Sequence, residues 1–270
     1  MQRAGRSGRT GPGKCFRLYT AYIYYHDMED NTIPEIQRTN LANVVLSLKL
    51  IVIHDSIHFD FMDPLPAKAI IKALELLFAL GALNCSGELT TIGKNMAEFP
   101  LDPMLSKMIV ASEKYKCSDE ITSIAAMLSV GNAIFYRPKD KHVHDDNARM
   151  NFHTGDVGDH IALLKVYNSW KETNYSTQWS YENDIQVRSM KRARDIRDQL
   201  EDILERIPME ITSNPNDLHA IKKSIASGFF PQSARLQKNG SYRIVKHAQT
   251  TSKMGSTMSW YLQPKNILGR

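Results

Sequence analysis

Along most of this chain apolar side chains recur every three or four residues, and only short stretches alternate apolar with polar positions. That pattern predicts a mainly α protein with small β elements. Leu41, Val44, Val45 and Leu48 fall on one helical face. They follow a start signal in which Thr32 and Glu35 have capping-box spacing and Pro34 sits in the first turn. A second helix is expected from about Pro66, carrying Ile70, Leu74, Leu77 and Phe78 until Gly81 ends it. Ala82 to Asn84 and Glu88 to Thr90 then flank a Ser86-Gly87 turn. Helices followed by a tight hairpin suggest a winged helix, with a small plain helical domain as the alternative.

Pro100 and Pro103 bracket a boundary, beyond which helices are expected at 103–116, 118–130 and 158–173, with a polar, loop-like stretch from Tyr136 to Gly155. The longest helix is expected at about 184–206, with Ala193, Ile196, Leu200, Ile203 and Ile207 alternating in steps of three and four before Pro208 stops it. Its first half carries Arg188, Lys191, Arg192, Arg194 and Arg197, and its second half Asp198, Glu201, Asp202 and Glu205. This order opposes the helix dipole. Either the basic end faces something acidic, or pairs such as Arg194 with Asp198 and Arg197 with Glu201 solubilise the helix. From Gly228 the pattern becomes Phe229-Phe230, Ala234-Arg235-Leu236, a Lys238-Asn239-Gly240 turn and Tyr242 to Val245, a β-hairpin interleaving basic and aromatic residues. His247 to Arg270 shows no usable alternation and is expected to be a disordered or aberrant tail.

With 270 residues and 42% hydrophobic content, the chain is long enough for two or three soluble globular domains. A net charge of +5 is compatible with a polyanionic partner but is spread too thinly to argue for one alone. Cys15, Cys85 and Cys117 lack CxxC spacing and cannot all pair, which favours a reducing compartment and excludes zinc fingers. Lys49 and His54 interrupt the most apolar stretch, so no membrane span is expected.

The candidate chemistry is concentrated at the start. Gln2-Arg3-Ala4-Gly5-Arg6-Ser7-Gly8-Arg9 places two arginines three residues apart in a glycine-rich turn, and guanidinium forks match phosphate oxygens and stay charged. Taken alone, these residues fit a nucleotide site or a basic RNA-binding arm. Gly11 to Tyr19 reads as a turn feeding a short strand, which favours an ordered sheet edge. Two strings mimic a phosphate loop and fail: Gly11-Pro12-Gly13-Lys14 is followed by Cys15, and Thr91-Ile92-Gly93-Lys94-Asn95 also lacks the required frame. His54 with His58, and His142 with His144, lack a convincing third ligand, so no metal site is expected.

Gln2 to Tyr19 resembles the sixth conserved motif of DEAH-box RNA helicases, with Ser7 where alanine is common. Pro34 to Leu41, Phe59 to Pro64, Leu80 to Leu83 and Pro103 to Met108 resemble the winged-helix and ratchet domains of the spliceosomal members. Ile134 to Lys141 and Arg188 to Asp195 look most like the branch that acts before the first splicing reaction.

The resemblance implies a domain order. Residues 1–30 would end a second RecA-like domain, 31–100 form a winged helix, 101–225 a helical ratchet-like domain, 226–246 the start of an OB-fold, and 247–270 the tail. By the same resemblance Gln2 would orient the attacking water and Arg6 and Arg9 would touch the terminal phosphate of ATP, with magnesium present in the intact enzyme and no tight cofactor binding by this chain alone. Arg235, Lys238, Arg243 and Lys246 beside Phe229, Phe230 and Tyr242 are the RNA-contact candidates, unless those aromatics belong to the core. The implied partners are single-stranded pre-mRNA, spliceosomal proteins and an activator with a glycine-rich patch, in the nucleus and away from membranes. Two departures stand out: Asp184, expected as an acid in the first turn of the long helix, and residues 247–270, which do not continue an OB-fold. Met1 abuts a motif that needs upstream partners, so a longer natural polypeptide is expected. The expectations are therefore a helicase fragment unable to hydrolyse ATP by itself, or a non-catalytic module that binds RNA or the activator.

Overall fold

The computed structural model describes residues 4–28, 33–130, 134–135, 152, 158–239, 241–245 and 250–251. Following a 3-10 turn at Ala4–Arg6, the short helices α1 (Ala21–His26) and α2 (Glu35–Arg38) precede α3 (Ala42–Leu50). The helix expected from Thr32 onward is in fact two. Thr32 lies outside the described residues, Pro34 occupies the N-cap position of α2 without a side-chain bond, and the chain breaks at Thr39–Asn40. The break has a local cause: the Asn40 side chain accepts the Ala42 N–H at 3.1 Å, giving the backbone an alternative to continuing the helix.

Helices α4 (Ala67–Ala79) and α5 (Thr91–Ala97) complete the first unit. Its core gathers Leu41, Ala42, Val45 and Leu46 of the α3 region, Ile70, Ala73, Leu77 and Leu80 of the α4 region, and Met96 of α5. Phe78, expected on the buried face, is 53% exposed; Ala73 holds that place instead. Between α4 and α5 the expected turn forms around Ser86-Gly87, with Leu83 and Leu89 bridged antiparallel and Asn84 N–H on the Glu88 carbonyl at 2.9 Å.

The second unit consists of α6 (Pro103–Tyr115), α7 (Ser118–Ser129), α8 (Asp159–Glu172), α9 (Thr177–Glu182), α10 (Val187–Arg206) and α11 (Leu218–Phe229). Asp102 caps α6 by accepting the Met104 N–H at 2.9 Å, with Pro103 in the first turn, where its missing N–H is harmless. Met108, Ile109, Ile121, Ile124, Leu200, Ile203, Ile221 and Ile225 are buried together at the centre. Met104 and Val110 of α6 pack against the cores of both units, so α6 is the shared wall. Helix α11 crosses α6 closely enough that a Cβ on Gly228 would lie 2.1 Å from the Met104 carbonyl oxygen, and only glycine permits that approach. Nearby, Ser224 Oγ donates to the Met108 carbonyl at 2.9 Å.

No side chain caps α7. The segment Glu210 to Asn214 does so instead: Thr212 O accepts the Asp119 N–H, Ser118 Oγ accepts the Thr212 N–H at 2.7 Å, and the buried Glu120 carboxylate accepts from Ser213 Oγ and the Asn214 N–H. This is a long-range cap.

Among the described residues, five helices end in the same double bond of the Schellman type, with a left-handed residue just past the end: Val52, Gly81, Lys116, Asn174 and Asp184. Asp184 therefore does not begin the long helix. It closes α9, with its N–H on Tyr181 O and the Ile185 N–H on Ser180 O, and α10 starts three residues later, at Val187. A short side chain that bonds locally tolerates this conformation, which explains an acid there without any appeal to the dipole of α10.

Strands β1 (Ala234–Leu236), β2 (Tyr242–Ile244) and β3 (Thr250–Thr251) form an antiparallel sheet in that order. The strand expected between Gly11 and Tyr19 is absent. Residues 12–17 have no regular structure, and Phe16 and Leu18 are exposed at 85% and 101%, because no described segment runs alongside to pair with them.

Candidate functional site

Two groups of predicted residues are well placed to meet an anion. The first is the loop that begins with the 3-10 turn Ala4–Arg6. Ser7 N–H and Oγ both bond to the Ala4 carbonyl, at 3.2 Å and 2.8 Å, which fixes the turn from Ala4 to Ser7 that carries Arg6. The chain then returns on itself: a Cβ on Gly13 would fall 1.6 Å from the Ser7 carbonyl oxygen, so residue 13 must be glycine for the loop to close. Arg6, Ser7 and Arg9 are all exposed, and neither arginine has an acidic partner among the described residues. Gln2 lies outside the described residues.

The second group lies on the sheet. Register pairs Arg235 with Arg243 directly across β1 and β2, which puts both guanidinium stems on one face. Like charges placed so repel, and an anion shared between them removes the repulsion. Lys238 stands exposed in the connecting turn, where Asn239 Oδ1 accepts both the N–H and the hydroxyl of Ser241. Lys246 lies outside the described residues.

The aromatic residues do not interleave with these cations as expected. Phe229 is in the core at 7% exposure, and Tyr242 is half-buried on the opposite face of β2 from Arg243. Phe230, 44% exposed, is the one ring of the three left open to solvent. Neither an ion pair nor a hydrogen bond connects the loop to the sheet among the described residues.

The long helix answers the question its charge order raised. Arg197 is buried, its side chain 6% exposed, and is bonded through Nε to Ser123 Oγ at 3.0 Å and through Nη2 to Asp119 and, at 2.8 Å, to Glu201. It also sits 5.7 Å from the centre of the Tyr167 ring. The expected Arg197–Glu201 pair is present. Arg194 does not pair with Asp198; it lies over the Tyr175 ring at 5.3 Å, with Asp195 at 3.9 Å. Burial works against the Arg197 charge and the neighbouring carboxylates outweigh it, so the guanidinium is held above its ordinary range; Glu201 is pushed up by burial, with Arg197 opposing. The Asp119–Arg197 contact spans 78 residues and left no local signal in the sequence. Arg188, Lys191 and Arg192 remain exposed on the outer face of α10.

The remaining candidates are structural or solvated. His58 Nδ1 lies 2.7 Å from Asp55 Oδ2, a pairing that lowers the Asp55 pKa, and no group of three or more metal-ligating side chains occurs among the described residues. His142 and His144 lie outside them. All three cysteines are free, and burial pushes the Cys117 thiol up to about 12, so it is inert. Among the described residues no helix is long and apolar enough to cross a membrane.

Comparison with known families places names on the two helical units. Residues 73–101 match the helicase associated domain (HA2), winged-helix, and residues 102–163 match the helicase associated domain (HA2), ratchet-like. This tandem is typical of DEAH and RHA helicases, which are ATP-dependent.

Proposed function

We propose that the chain is the carboxyl-terminal portion of an ATP-dependent RNA helicase of the spliceosomal DEAH group, which remodels RNA–protein complexes during pre-mRNA splicing in the nucleus. The observation that carries the reading is the helicase-associated pair at 73–163 in one chain with a closed loop that presents Arg6 and Arg9 to solvent. Such guanidiniums stabilise charge on a transferring phosphoryl group and are worth about 10³ to 10⁵ in rate when nucleotide is held opposite them. Gln2 would orient the attacking water.

The loop fits one half of a nucleotide site. It has donors for the terminal phosphate, but residues 4–19 include no carboxylate to hold magnesium. ATP and magnesium therefore need residues other than these, and the chain alone is expected not to hydrolyse ATP. Single-stranded RNA would lie along Arg235, Lys238 and Arg243, read through its backbone and so without strong sequence preference. Spliceosomal proteins and a glycine-rich-patch activator are the protein partners of this reading.

A second reading is favoured by the opposed Arg235 and Arg243: a non-catalytic module, derived from such a helicase, that binds RNA or the activator. An ATPase assay with and without single-stranded RNA, run beside filter binding at low salt, separates the cases. No turnover is expected. RNA binding should weaken with salt, and the double variant Arg235→Ala, Arg243→Ala should lower the salt slope by about two. Turnover abolished by Arg6→Ala would overturn the expected inactivity, and no RNA affinity at low salt would count against the binding module.

A further inference from the structure

We propose that Ser7 is a phosphorylation site whose phosphate pairs with Arg6 and Arg9 and thereby occupies the phosphate-facing guanidiniums of its own loop. Its hydroxyl is exposed and makes only the short local bond to the Ala4 carbonyl, so it is accessible and leaves that bond at little cost. Cations stand immediately before it and two residues after it, and residues 4–19 contain no acid. Protein kinases discriminate substrates by such charge patterns, so the enzyme implied is an arginine-directed serine kinase using ATP. In the transfer, Ser7 Oγ attacks the γ-phosphorus of ATP and a new O–P bond forms. The bond from that phosphorus to the β,γ-bridging oxygen breaks, ADP leaves with its electron pair, and the hydroxyl proton passes to the kinase's base.

The product brings about −1.5 to −2 charges and three acceptor oxygens to a point between two forks of N–H donors. Loop closure matters here. Because Gly13 lies against the Ser7 carbonyl, Arg9 sits in a tight loop that runs from residue 7 to residue 13, which limits its drift away from the new phosphate. A phosphate there satisfies the same donors a nucleotide's terminal phosphate would use, so modification is an off switch for that contact. The consequence for turnover rests on the reading of Arg6 and Arg9 as nucleotide-facing; the pairing itself does not.

The sequence offers its own route to the test. Cys15 follows Lys14, so a synthetic thioester of residues 1–14 carrying phosphoserine at position 7 can be ligated to residues 15–270 to give the full chain with no foreign residue. The phosphate's second ionisation, followed by phosphorus NMR, should fall about one unit below its ordinary value near 6. It should return in a chain built with Arg6→Ala and Arg9→Ala, and move part of the way back with Gly13→Ala, which opens the loop. The same titration midpoint in all three chains would overturn the pairing. In a second arm, the chain is incubated with ATP and an arginine-directed serine kinase: phosphate on Ser7, lost in Ser7→Ala, is expected, and phosphate only on other residues, or none, overturns the site. Normal pairing, together with an intact helicase indifferent to Arg6→Ala, would sink the nucleotide reading while leaving this one standing.

Discussion

Val52 is a β-branched residue at φ 66°, one residue past the C-cap of α3, where its N–H bonds to Lys49 O and the following N–H to Leu48 O. The left-handed region disfavours an L-residue by roughly 1–2 kcal/mol, and Val52 recovers little by burial, being 66% exposed. Gly81 does the same job at α4 with no Cβ to strain it. Val52→Gly is accordingly expected to stabilise the protein by about 0.5–1 kcal/mol, and Gly81→Ala to destabilise it by about 1 kcal/mol, both read from urea unfolding midpoints at constant m. A loss of stability in Val52→Gly would mean that the exposed valine is held by contacts outside the described residues. Asp184 shows how a single residue misleads. Its charge suggested a helix start, and its backbone conformation makes it a helix end.

Elements with both a period and punctuation were legible in the chain. Helices expected at 103–116, 118–130 and 158–173 are found at Pro103–Tyr115, Ser118–Ser129 and Asp159–Glu172: Asp102 and Pro103 mark the first start, Gly158 precedes the third, and the second rests on its apolar steps alone, with no capping side chain. Helix α11 was missed, although Asp217 caps it through the His219 and Ala220 N–H groups and Ile221, Ile225 and Phe229 recur every four residues. The turn that carries Arg6 and Arg9 was readable from its glycine spacing, whereas the burial of Arg197 was not, since its charge partner Asp119 is set by packing rather than by neighbours in the chain. Removing that arginine leaves two carboxylates facing each other, each about a third exposed and so partly rehydrated. Arg197→Met should therefore destabilise by about 2–3 kcal/mol, against less than about 0.5 for Arg194→Ala. Equal effects in a denaturant titration would refute the clamp.

At the scale of the whole molecule, a sharp pH response is expected from His160, where α8 meets α11, its ring 6.0 Å from Phe229. Burial pushes its pKa down from 6.5 to about 4, with Asp159 opposing. A depressed histidine binds its proton more weakly folded than unfolded, so its contribution is fully present above pH 6.5 and is lost as the pH falls toward 4. The slope in that window should approach 1.4 kcal/mol per pH unit, and His160→Asn should flatten it; an unchanged slope in the variant would assign the loss to carboxylates instead.

Synthesis runs from one end, and that gives the crossing of α6 with α11 a meaning of its own. Met108 and Ile109 leave the ribosome early, yet the helix that covers them ends at Phe229, and the Ser224 to Met108 bond spans 116 residues. Half of that core must wait, uncovered, while everything between is made. The ratchet-like unit is thus completed late and all at once, by its last helix, and a nascent chain stopped short of residue 229 presents an open apolar groove to whatever meets it first.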